Sequence, residues 1–341
     1  MVIRQRSSII ARSWGRRLRP TVRAMERDVH SRLHDAHTEP GLTNLRASGF
    51  VDNDGVRIAW YECGAPAETA EVTVVFVHGY SLSSESFYSQ ANFVRENFPQ
   101  ARCLLVDLRG HGQSSEVPPA RCTISAAADD VLRAIDARAP QGPLVIVGHS
   151  LGGMVALNVI RRARRDVATR MAGAVIISSS MRRFAARGFA KILHSRTMGW
   201  IYELCLRLPE RMDRVRFEFA SVCAPVFAAL LQGFPQMDKL QFHVAMLLDT
   251  PLSSYTGFFD DLQRHSEFGA AARLRSIPGE VVVGDMDIVT PLSQSQLLVK
   301  HWPGAMLSTV ESAGHMVILE EPEEVSQAIG RVLKRVLEGE G

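Results

Sequence analysis

Cysteine is scarce in this sequence and badly spaced for metal or redox work. The five thiols, at 63, 103, 122, 205 and 223, are separated by 40, 19, 83 and 18 residues, so there is no C-x-x-C pair and no zinc spacing. An odd, scattered set fits a reducing compartment and points to the cytoplasm. Excess charge is scarce as well: 39 Lys and Arg against 36 Asp and Glu leave +3, too even for a nucleic-acid binder, whose positive charge is concentrated. There is no Walker lysine, Gly110-His111-Gly112 lacks the rest of a dinucleotide fingerprint, and His111 and His149 have no ligand partners at metal spacing. Neither a cofactor nor a metal is therefore expected. With 46% hydrophobic and 22% charged residues over 341 positions and a mean hydropathy of zero, the disordered, collagen-like and multi-span membrane classes are excluded too. No internal repeat or low-complexity tract occurs.

The small positive excess is local. Residues 1–40 hold nine Arg against four acidic residues, or +5, while the rest of the chain holds 30 basic and 32 acidic residues, or −2. Within this arm Ile10, Trp14, Leu18, Val22, Met25, Val29 and Leu33 recur at helical spacing, with Pro20 dividing the helix. It lacks the apolar stretch of a secretory signal: Ile9-Ile10-Ala11 is the longest start before Arg12, and no apolar region follows Arg16-Arg17. Its stripe suits packing on the body of the protein, self-association, or peripheral contact with an anionic membrane surface. An organellar transit peptide shares the same Arg-rich, acid-poor character.

From residue 41 onward the patterning changes. Two extended runs, Arg46 to Phe50 and Val56 to Cys63, flank Asp52-Asn53-Asp54-Gly55 and predict a β-hairpin. Short continuous apolar runs follow: Val72 to Val77, Cys103 to Val106, Leu144 to Val147, Ala174 to Ile177, Val281 to Val283 and Met306 to Val310. Runs apolar on both faces imply a parallel sheet covered on each side. Helix-period segments alternate with them at Ser84 to Asn97, Ile124 to Ile135, Leu151 to Arg162 and, opened by Pro322 and two glutamates, through Val336. The alternation predicts an α/β fold with right-handed crossovers. Between Ser180 and Glu267 it breaks: no strand is evident, and the segment is dense in Phe and Leu. Nearly 90 residues exceed an ordinary connection and predict a helical cap. The expected organisation is an arm over 1–40, a core over 41–179 and 268–341, and a cap over 180–267.

One constellation carries chemistry. Gly148-His149-Ser150-Leu151-Gly152 is a G-x-S-x-G motif placed directly after an apolar strand and before a helix. A serine hydroxyl needs a base to attack a carbonyl, and the base needs an orienting carboxylate. Of the histidines after Ser150, His194, His243 and His265 fall in the cap, where a solvated or satisfied imidazole is expected. His315 sits in a turn just after the last strand, in Glu311-Ser312-Ala313-Gly314-His315. The acid should follow the penultimate strand, where Gly284 runs into Asp285-Met286-Asp287, and chemistry alone does not choose between Asp285 and Asp287. An oxyanion hole needs two backbone donors: Leu151, which follows the serine, and Tyr80, in His78-Gly79-Tyr80 after an earlier strand.

These motifs, with Asp107-Leu108-Arg109-Gly110-His111-Gly112-Gln113-Ser114 and Gly284-Asp285-Met286-Asp287-Ile288-Val289-Thr290-Pro291, stand in an order that resembles the α/β-hydrolase superfamily. The resembling members are its serine-nucleophile, cap-bearing lipases, esterases and C–C hydrolases. The resemblance spans Ser48 to Leu337. It implies a mostly parallel sheet of about eight strands flanked by helices, with a helical cap inserted after the sixth strand. It also implies Ser150 as nucleophile, His315 as base and Asp287 as acid, the last because the family's acid stands three residues after the glycine and four before the proline. The 107–114 stretch is read as structural. Serine in place of aspartate disfavours haloalkane dehalogenase and epoxide hydrolase activities. The expected reaction is hydrolysis of a small ester-type substrate with an apolar acyl or aryl group. C–C bond hydrolysis, thioester hydrolysis and perhydrolysis use the same residues, and a non-catalytic binding protein on this fold is the competing class.

Overall fold

Valine-rich runs have no polar face to turn to water, and in the computed structural model they lie in a sheet covered on both sides. The structure describes residues 41–183, 242–243, 245–247 and 249–339. The arm expected over 1–40 and most of the expected cap lie outside the described residues. The eight strands are β1 (Ala47–Asn53), β2 (Val56–Gly64), β3 (Val72–Val77), β4 (Ala101–Val106), β5 (Leu144–His149), β6 (Met171–Ile177), β7 (Gly279–Gly284) and β8 (Ala305–Val310). Their order is β1-β2-β4-β3-β5-β6-β7-β8. β2 runs antiparallel to β1 and β4, and every other pairing is parallel. Every residue of β3, β4, β5 and β7 is buried.

Successive side chains of these strands feed opposite apolar layers, as a period of two requires. Val75 and Val77 join the layer formed with α2 (Ile124–Arg138) and α3 (Leu151–Arg162), to which Phe258 of α4 (Leu252–Leu262) and Leu298 of α5 (Leu292–His301) also belong. Val74 and Phe76 join the opposite layer with α1 (Tyr88–Asn97) and α6 (Pro322–Leu337). Thr123 caps α2, its hydroxyl accepting from the Ala126 amide at 3.1 Å. α6 opens on Pro322, Glu323 and Glu324 and closes on Lys334 and Arg335, a charge order that complements its dipole.

The boundaries differ from the sequence expectation where charge intrudes. β4 starts at Ala101, before the apolar run, because the Arg102 side chain is buried against Glu62 at 2.5 Å and donates to the Arg138 carbonyl at 2.7 Å. β7 likewise includes Glu280, paired with Arg331 of α6. The hairpin strands extend to Asn53 and Val56, leaving Asp54 and Gly55 as a two-residue turn with φ of +54° and +74°, the signs of a type I′ turn. α5 carries no apolar stripe, since only Ser295 and Leu298 are buried, and periodicity does not reveal it. The insertion after β6 is closed at its base by an antiparallel bridge between Arg182 and Ser266.

The 107–114 loop is fixed by a buried ion pair. Arg109 Nε and Nη2 donate to the two oxygens of Asp130 on α2 at 2.6 and 2.7 Å, and Asn53 Nδ2 adds a third bond at 2.7 Å. The two charged side chains are 5% and 0% exposed. Asp130→Ala would strand the Arg109 charge in the interior and is expected to cost about 3–5 kcal/mol, read as a lower urea midpoint. An unchanged midpoint would mean that Arg109 finds another partner.

Candidate active site

Ser150 sits in the turn from β5 to α3 with φ +52° and ψ −117°, a left-handed conformation that costs a side-chain-bearing residue about 1–3 kcal/mol. Its neighbours are glycines for lack of space. A Cβ on Gly152 would lie 2.0 Å from the Val77 carbonyl oxygen, and one on Gly148 would lie 2.4 Å from that of Gly152. The turn is pinned by the Ser150 amide, which donates to the Ile177 carbonyl at 2.9 Å, and by Ser179 Oγ, which donates to the Ser150 carbonyl at 2.7 Å.

The carboxyl ends of β7 and β8 bring two more side chains to it. His315, in the loop after β8, places Nε2 2.9 Å from Ser150 Oγ and Nδ1 2.9 Å from Asp287 Oδ2. Asp287 is buried in the loop after β7, whereas Asp285 in the same loop faces solvent. The Asp287 carboxylate is further held by the Val289 and Thr290 amides on Oδ1, both at 2.8 Å, and by the Thr290 hydroxyl on Oδ2 at 2.7 Å. Burial alone would raise its pKa, but attraction to His315 and these hydrogen bonds outweigh burial and hold it below the ordinary carboxylate value. An ionised Asp287 only accepts, so His315 Nδ1 carries the proton and Nε2 is free to accept from the Ser150 hydroxyl.

The other expected residues are placed as follows. Leu151 is buried as the first residue of α3, where an amide has no intrahelical acceptor. Tyr80 is half-buried, and its hydroxyl donates to the Tyr255 carbonyl at 2.6 Å. The loop carrying Tyr80 is clamped by two neutral histidines. His78 Nε2 accepts from the Leu108 amide at 2.9 Å, and His111 Nε2 accepts from the Ser81 amide at 3.3 Å. Burial depresses their pKa values to about 4 and about 3, with His78 adding to the second. His243 and His265 are both buried rather than solvated; His194 lies outside the described residues.

Residues 74–328 match the model of the alpha/beta hydrolase family. The chain belongs to that family. The hydrolase is 26% identical over 286 residues to the dihydrolipoyllysine-residue acetyltransferase component of an acetoin cleaving system from Pseudomonas putida, a match covering 82% of this chain and 68% of that protein. It is 24% identical over 259 residues to a pimeloyl-[acyl-carrier protein] methyl ester esterase from Methylococcus capsulatus, covering 75% and 92%. A thermophilic esterase from Thermogutta terrifontis shares the fold with a TM-score of 0.66 at 24% identity, covering 86% of this chain and 99% of that one.

Two supporting residues of the hydrolase, Thr290 and Glu320, are not singled out by the sequence reading. Thr290 binds the Asp287 carboxylate twice, through its amide and its hydroxyl. Glu320 is buried behind His315 and accepts the amides on either side of it, Gly314 on Oε2 at 2.5 Å and Met316 on Oε1 at 3.0 Å. Burial raises its pKa despite those bonds. A carboxylate five residues beyond the histidine is this clamp's one trace in the sequence. Among the described residues no group of three or more His, Cys, Asp or Glu side chains is arranged to hold a metal ion, and no helix is long and apolar enough to cross a membrane.

Proposed function

We propose that the protein is a serine hydrolase that cleaves a carboxylic ester of an apolar acyl or aryl substrate through an acyl-enzyme on Ser150. The observation that carries the reading is the continuous chain of hydrogen bonds from Ser150 through His315 to the ionised Asp287. Ser150 Oγ attacks the carbonyl carbon as its proton passes to His315 Nε2, and Asp287 stabilises the imidazolium that forms. The oxyanion takes hydrogen bonds from the Tyr80 and Leu151 amides, each such donor being worth about 3 kcal/mol of barrier. Collapse expels the alcohol, protonated by His315, and leaves the acyl group on Ser150. Water, giving its proton to His315, then releases the acid and restores the serine.

The methyl ester esterase relative supports an ester as the bond cleaved. An apolar substrate is supported by Met286 and Ile288, which flank Asp287 and are 46% and 54% exposed. A fluorophosphonate probe tests the chemistry. It is expected to label the wild-type protein and not Ser150→Ala. A wild-type protein that stays unlabelled, or a Ser150→Ala variant that labels, would exclude the enzyme reading. A p-nitrophenyl ester series run beside a thioester then reads the acyl preference.

A further inference from the structure

The residue before the serine has no part in the chemistry just described, yet it touches both halves of the site. His149 ends β5 with its ring almost wholly buried, 1% exposed. Its Nε2 lies 2.9 Å from the carbonyl oxygen of His315. A carbonyl can only accept, so Nε2 carries the proton and Nδ1 is the bare nitrogen. That Nδ1 has no hydrogen-bond partner and is packed against Gly79, where a Cβ would stand 2.6 Å from it. On its other side the ring lies 5.3 Å from that of His315, tilted by 45°.

A residue needed only to fill this space would be better as phenylalanine or leucine, which bury no unpaired acceptor. The imidazole keeps that unfavourable atom and in return supplies a donor to the backbone of His315. Burial, and then the nearby charge of His315, push the His149 ring down to about 3, so it stays neutral and does not oppose the imidazolium forming on its neighbour.

We propose, on the reading of Ser150 as nucleophile, that His149 is a positioning residue: one rigid ring spaces the His315 backbone from Gly79 in the oxyanion loop, holding base and oxyanion donors in register over Ser150. Gly79 is glycine to admit that ring. Misplacement of a reacting group by about 1 Å costs up to about 100-fold in rate, which sets the scale of the test. His149→Leu should lower both kcat on a p-nitrophenyl ester and the fluorophosphonate labelling rate by about 10- to 100-fold, with KM within about twofold. His149→Gln, whose amide N–H reaches the same carbonyl, should recover most of that loss.

Gly79→Ala should impair the wild type strongly but add little to His149→Ala, because the severe clash, at 2.6 Å, is with the ring, whereas Leu82 Cδ1 at 3.2 Å need give only a few tenths of an ångström; this non-additivity reads the contact even if His149→Leu folds poorly. Long-range 1H–15N spectra of the wild type should show His149 as the Nε2–H tautomer, unprotonated down to pH 5. Leu and Gln variants with equal rates, additive Gly79 and His149 effects, or a His149 ring titrating near 6.5 would each overturn the proposal. A wild-type protein that neither labels nor hydrolyses would instead sink the hydrolase reading and leave the tautomer and titration to judge the contact.

Discussion

Asp287→Asn is expected to lower kcat for ester hydrolysis by about 10⁴-fold, while Asp285→Asn stays within about twofold of wild type. The difference arises from burial and bonding rather than from residue type. Asp287 Oδ2 receives the Nδ1 proton of His315 at 2.9 Å, and the carboxylate is fixed by three further bonds from residues 289 and 290. An asparagine amide turned toward Nδ1 would donate instead of accept, shifting the imidazole proton to Nε2. In that tautomer His315 cannot take the proton of Ser150. The loss is worth about 5 kcal/mol of barrier and should fall on kcat, since Asp287 does not meet the substrate. Asp285, two residues earlier, is in solvent, and its neutralisation should leave the imidazole where it is. Steady-state kinetics of the two variants decide the matter, and the opposite pattern would transfer the role to Asp285.

The second large effect is on stability in acid. His78, His111, His149, His243 and His265 are buried with pKa values depressed to about 4, 3, 3, 4 and 4, burial being the leading cause for each. In the unfolded chain they return to 6.5. Between pH 6.5 and about 4 the unfolded state therefore binds protons that the native state refuses, and stability falls as pH falls. Each such group contributes about 1.4 kcal/mol per pH unit. Glu85 works the other way: burial, then Asp107 and Asp249, raise its carboxyl to about 7, so acidification relieves one native-state penalty. Four protons net give on the order of 11 kcal/mol lost between pH 6.5 and 4.5, comparable to the whole stability of an ordinary domain. Urea midpoints at pH 7, 6 and 5 should drop steeply; midpoints that stay level would show that these rings titrate freely.

Much of the fold was legible because apolar runs such as Val72 to Val77 and Leu144 to Val147 are buried on both faces and have no other stable fate. The strand starts at Ala101 and Gly279 were hidden by Arg102 and Glu280, whose burial depends on Glu62 and Arg331, partners that no local window contains. The G-x-S-x-G motif marks its own backbone strain, since Gly148 and Gly152 are required within two residues of the serine. Asp285 and Asp287 could not be ranked by chemistry, because both follow the same strand; what separates them is which one the loop folds inward. Glu320 and His149 were illegible for a related reason. Their significance lies in backbone amides and a carbonyl, which every sequence contains, and for His149 the partner is 166 residues away.

That same separation bears on how the protein comes into being. Ser150 is set between β5 and α3, in the first half of the chain, but its hydrogen-bond partner arrives 165 residues later. Chains emerge from the ribosome amino end first and fold progressively. The contorted serine turn can close against β3 and β6 while β7 and β8 are still unmade, so the nascent polypeptide carries a serine with nothing to deprotonate it. On the proposed reading, the serine gains its base only when the last strand and its loop dock, so a cut within the final quarter of the chain should leave it without one.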